Sequence, residues 1–118
     1  MDITPYRLDL IIIRETAKRI IDDFDFFGIE ISFSGNEQNA YNELTSQLIP
    51  LFEHLYAKDR QKLMLILYKI DIAENKLERT KAKFPRASLA EIISHLVVER
   101  EMQKVITRRL YSSGSNPQ

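Results

Sequence analysis

The stretch Asp59–Phe84, DRQKLMLILYKIDIAENKLERTKAKF, decides how the rest of the chain is read. Leu63, Ile66, Ile70, Ala73 and Leu77, continued by Phe84, recur at alternating steps of three and four. That is the seam of an α-helix packed along its length. Met64, Leu65, Leu67, Tyr68 and Ile72 add apolar surface around the same rod. A helix this apolar needs cover on more than one side, so the pattern predicts one long helix at the centre of a bundle.

Three further helices surround it in this reading. Tyr6, Leu10, Ile13, Ala17, Ile20, Phe24 and Phe27 form a heptad-like stripe, which predicts a first helix over 5–27. Thr4 is its expected cap, Pro5 its first turn and Gly28 its stop. Asp22, Asp23 and Asp25 crowd its last turn, where the macrodipole disfavours negative charge, so cations are expected nearby. Tyr41, Leu44, Leu48, Leu51 and Leu55 predict a second helix over 36–57, kinked at Pro50 and opened by a Ser34–Glu37 capping box or by Asn36. A Ser88–Glu91 capping box opens the fourth helix, over 88–111. Its first apolar face is Leu89, Ile92, Ile93 and Leu96. Val98, Met102 and Val105 make a second strip, which predicts contact with another surface such as a second subunit.

Between the first two helices, Ile29, Ile31 and Phe33 alternate with Glu30, Ser32 and Ser34. Period two reads as a short extended segment over 28–36 with one buried side. It is either a linker laid over the bundle, the favoured reading, or a strand that pairs with its copy. The expected fold is thus all-α, an up-down-up-down four-helix bundle in one domain over 1–111, with a disordered tail over 112–118.

The totals agree with a single folded domain. There are 118 residues, of which 44% are apolar and 29% charged. Three glycines and four prolines disfavour a turn-rich β architecture. The absence of cysteine excludes disulfides, thiolate catalysis and Cys-based zinc sites. Charges interrupt the N-terminal segment, no signal peptide is read there, and a soluble cytoplasmic protein is the default expectation. Formal net charge is zero, yet residues 1–50 carry four basic and nine acidic groups while the remainder carries thirteen basic and eight acidic. Complementarity within the chain or across a dimer explains that split better than a nucleic-acid surface does.

Three constellations could carry chemistry. Glu91, His95 and Glu99 share one face of the fourth helix, and carboxylate plus imidazole at that spacing can hold a divalent metal. The matching ligands that di-metal bundles draw from other helices are missing, so a solvated face is the favoured reading and no cofactor is expected. Arg100 falls on the apolar face of the fourth helix, and Glu74, flanked by Asp71, on that of the third. A hairpin around Pro85 sets Asp71 level with Arg100, which predicts a structural polar layer of Asp71, Glu74 and Arg100 at least partly buried. Finally, Lys76, Arg79, Lys81, Lys83 and Arg86 make a basic tip without an aromatic platform.

Two segments, Leu67–Glu74 and Val98–Lys104, resemble stretches of small all-helical bacterial proteins without assigned activity. The resemblance covers the third and fourth helices and implies no catalytic residue. The functional expectation is a non-enzymatic interaction or scaffold bundle that self-associates as a homodimer or binds a protein partner. The alternatives are a metal- or small-ligand-binding bundle, and nucleic-acid binding through the basic 76–86 tip.

Overall fold

The computed structural model describes residues 1–6 and 8–113. Among them are five α-helices and no strand: α1 (Leu10–Asp25), α2 (Ala40–Lys58), α3 (Arg60–Ile70), α4 (Glu74–Lys83) and α5 (Leu89–Ser113). The all-helical class matches the sequence reading. The four-helix count does not.

The long third helix is broken. Asp71 turns into the left-handed region at φ +70°. There its amide donates to the carbonyl of Tyr68, and the Ile72 amide donates to that of Leu67 (3.1 and 3.0 Å). That pair of bonds is a Schellman closure, built on aspartate where glycine is usual. The apolar period passes through the break unchanged, which is why periodicity did not reveal it. The same closure ends α1 at the expected place: Gly28 stands at φ +74°, and Ile29 donates back to Phe24 (3.0 Å).

The start of α1 lies later than expected. Thr4–Tyr6 is a separate 3-10 turn, and Asp9 caps α1 by accepting from the amides of Ile11 and Ile12. A carboxylate there also meets the positive end of the helix dipole. The Ser34–Glu37 capping box does not form, because Glu37 pairs with Arg14 and Ser34 bonds Glu43. Asn36 instead caps a short 3-10 turn over Glu37–Asn39. Through Pro50 α2 runs unbroken. Pro50 and Ser46 are both exposed, so water can satisfy the Ser46 carbonyl that proline leaves without a donor. The Ser88–Glu91 box forms as read, with reciprocal bonds of 3.1 and 2.7 Å.

Chain directions depart from an up-down-up-down order. Glu37, just before α2, pairs with Arg14 early in α1, whereas Phe52 late in α2 meets Phe24 late in α1 (ring centroids 6.0 Å apart). Helices α1 and α2 therefore run the same way. The extended segment after α1 carries the chain back between them. It buries Ile31 and partly buries Ile29 and Phe33, while Glu30, Ser32 and Ser34 face out. Side chains of α2 satisfy its backbone: Gln47 both accepts from the Ser32 amide and donates to the Ser32 carbonyl, and Glu43 accepts from Ser34.

The central helix is α5, which touches each of the other four. Ala90, Ile93, Val97 and Val98 enter the main core with Phe24, Leu48, Phe52 and Ile66. Met102, Val105 and Ile106 form a second cluster with Ile12 of α1, covered by Ile3 and Tyr6. The strip Val98–Met102–Val105 is thus buried within its own chain, and no second subunit is required to cover it. A cation does stand by the α1 aspartates, but it comes from α1 itself, where Asp22 pairs with Lys18; on α4, Lys76 lies by Glu99 and Lys81 donates to the Ala87 carbonyl. α5 continues to Ser113, two residues past the expected end; the rest of the predicted tail lies outside the described residues.

This assignment of centre and rim can be tested. Ile93→Ala, at 1% exposure, should cost about 2–5 kcal/mol. Leu8→Ala, at 91% exposure and away from α3, should stay within about 0.5 kcal/mol. Urea midpoints of the two variants check the ranking.

Candidate functional site

The sequence-predicted residues are brought together only in part. Arg100 reaches the end of α3, where its Nε donates to the Asp71 carbonyl (3.2 Å) and an Nη to the Asp71 carboxylate (2.8 Å). One guanidinium therefore closes a helix C-terminus by hydrogen bond and by charge. The pair sits at the surface, with the Asp71 side chain 75% exposed, and the Arg100 hydrogen bond holds that carboxyl below its usual pKa. Glu74 opens α4 and is exposed. Arg100, its side chain 35% exposed, is partly buried and meets Asp71 as the hairpin register predicts, while Glu74 stands exposed outside the pair.

Glu91, His95 and Glu99 do not converge. Glu91 is committed to Ser88, whose amide hydrogen bond lowers its pKa, with the Ser88 hydroxyl adding to the effect. His95 bonds the Tyr41 hydroxyl through Nδ1 (2.9 Å), and Glu99 lies 3.9 Å from both His95 and Lys76. Among the described residues no group of three or more His, Cys, Asp or Glu is arranged to hold a metal ion. Tyr41 and His95 instead border a mainly apolar cleft between α1, α2 and α5, of about 140 Å³. That is the scale of a cavity that holds benzene, so the cleft suits nothing much larger.

The basic residues lie on α4, which buries none of its side chains, and on the turn after it. Lys76, Arg79 and Lys83 border one shallow groove with His95, and Glu99 enters the same groove and offsets their charge.

Two features were missed. The first is an uncovered apolar stripe. Met64, Leu65 and Tyr68 of α3 are 56%, 54% and 85% exposed, and Phe26 beyond α1 is 72% exposed. Lys69 joins them, its ammonium 4.4 Å from the centre of the Phe26 ring. The sequence reading recorded Met64, Leu65 and Tyr68 as apolar surface needing cover, and among the described residues nothing covers them. The second is Glu101, completely buried on α5. Arg19 Nε donates to its Oε1 (3.1 Å), Lys104 lies 3.3 Å from the same oxygen, and its Oε2 has no hydrogen-bond partner. Burial, reinforced by the nearby Asp23 carboxylate, pushes its pKa from the ordinary 4.5 to about 7. The signal was present: Glu101 follows Val97 by four and Val98 by three, so it interrupts an apolar face.

No helix among the described residues is long and apolar enough to cross a membrane. For the Arg100–Asp71 pair, Arg100→Ala should lower the urea midpoint by less than Ile93→Ala does, because water screens an exposed pair; a larger loss places the pair in the core. No known protein family, curated protein or solved structure matches this chain.

Proposed function

We propose that the protein is a non-enzymatic helical interaction module that pairs with a second copy of itself through the outer face of α3 and Phe26. The observation that carries this reading is the bare stripe of Met64, Leu65, Tyr68 and Phe26. Lys69, with its ammonium over the Phe26 ring, links the α3 row to Phe26, so the exposed apolar groups lie on one side of the molecule. Scattered exposed apolar residues need no explanation, but a helical row of them does.

Charge favours a second copy as the occupant. The start of α3 is cationic, with Lys58, Arg60 and Lys62 around Asp59. The other end of the stripe carries acid, Asp25 beside Phe26, with Asp22 and Asp71 next to it and paired within the chain to Lys18 and Arg100. An antiparallel two-fold pairing lays the basic end of one stripe against the acidic end of the other, as an isologous interface requires. Zero formal net charge leaves little long-range repulsion between copies.

Light scattering across a concentration series tests this. The wild type is expected to approach twice its chain mass of 13.8 kDa. Leu65→Glu or Tyr68→Glu should weaken association at least about tenfold with unchanged helix content, since each buries a charge at the contact. A strict monomer at every concentration, or dimers untouched by both variants, overturns the proposal.

A further inference from the structure

The most anomalous group in the molecule is the carboxyl of Glu101. It is fully buried, two cations converge on Oε1, and Oε2 has no donor. The charged groups that act on it are Arg19 and Asp23 from α1 and Lys104 from its own helix. The Asp23 carboxyl stands where it can hydrogen-bond Glu101. Two ionised carboxylates cannot bond each other, because both only accept. One proton changes this: carried on Glu101 Oε2, it gives the orphaned oxygen a donor role and Asp23 a hydrogen bond to accept. Without it, a buried anionic oxygen remains unsatisfied beside a second negative charge.

We propose that the buried Glu101 carboxyl holds a proton at the contact between α5 and α1, and that losing it loosens the docking of α1. The site is a proton clamp across the helix pair. Arg19 and Lys104 stay on Oε1 in either state and keep the carboxyl oriented, so the proton decides the state of Oε2 alone. A metal ion is a poorer occupant, since two cations already take one oxygen and no third His, Cys, Asp or Glu ligand is in place among the described residues.

The direction of the effect follows from linkage. The unfolded chain releases this proton near pH 4.5, whereas the folded chain keeps it up to about pH 7. Between those values the folded state binds more protons, so stability is full below the window and falls as pH rises through it. The adjoining cleft between α1 and α5 is lined by Arg19 and Asp23 and by further charges, Glu15, Lys18, Asp22, Arg108 and Arg109.

Carbon-detected NMR of the wild-type protein reads the clamp directly. The Glu101 side-chain carboxyl should titrate near pH 7, well above the ordinary 4.5. Asp23→Asn should move that midpoint down, because the repelling carboxylate is replaced by an amide able to donate. In Glu101→Gln the amide mimics the protonated carboxyl, so the decline in thermal midpoint between pH 4.5 and 7 should shrink by half or more. Amide exchange, corrected for its intrinsic pH dependence, should lose protection over α1 before α2 in the wild type. A Glu101 carboxyl that titrates at or below 4.5, or a midpoint unmoved by Asp23→Asn, overturns the proposal. The wild-type titration decides it even if Glu101→Gln fails to fold.

Discussion

Helix α5 has little surface that can face water along most of its length, and the rest of the fold follows from that constraint. Ile92, Ile93, Leu96, Val97, Val98, Met102, Val105 and Ile106 take up more than one side of the helix, and all are buried. Burying apolar area at roughly 25 cal/mol per Å² makes such a helix the place where the others must gather. It is met by α1 and α2 along its core faces, by α4 as its hairpin partner and by the end of α3. Parallel α1 and α2 are a consequence. Both must lie on α5, and the extended segment that carries the chain back is held by Gln47 and Glu43, so its backbone polar groups find partners without a sheet.

The break at Asp71 frees α4 to fold back onto α5. A left-handed aspartate is costlier than a glycine there, and the two closing hydrogen bonds and the Arg100 guanidinium act against that cost. The same break has a second result. A short α3 ends up at the rim, packed on one side by α1 and α2 and bare on the other. The bare stripe and the broken helix are therefore one structural event.

Charge in this protein is organised at two depths. At the surface, Arg14–Glu37, Arg109–Glu15 and Arg100–Asp71 tie elements together where water screens each pair. In the interior, Arg19, Lys104 and Glu101 form a group whose geometry is fixed by two helices and whose oxygens are unequally satisfied. An unpaired group at that depth has a far larger effect on the state of the protein than any surface pair.

The sequence by itself determined the all-helical class, the Gly28 stop, the Ser88–Glu91 box, the buried side of the extended segment and the level of Asp71 with Arg100. Each is a local matter of periodicity, a cap or a hairpin register, which a few neighbouring residues decide. Tertiary structure alone decided which helix is central, where Asp59–Phe84 breaks, how α1 and α2 are oriented and what becomes of surplus apolar surface. Tyr68 and Val98 illustrate the difference. Both sit beside an apolar seam in the sequence, yet Val98 is covered by its own chain and Tyr68 stands 85% exposed among the described residues. Periodicity records that a face is apolar, and only the packing of all five helices at once settles whether something lies against it. Glu101 was legible only as a charge interrupting an apolar face; the groups that act on it from α1, Arg19 and Asp23, come from the far end of the chain, and only the packing brings them there.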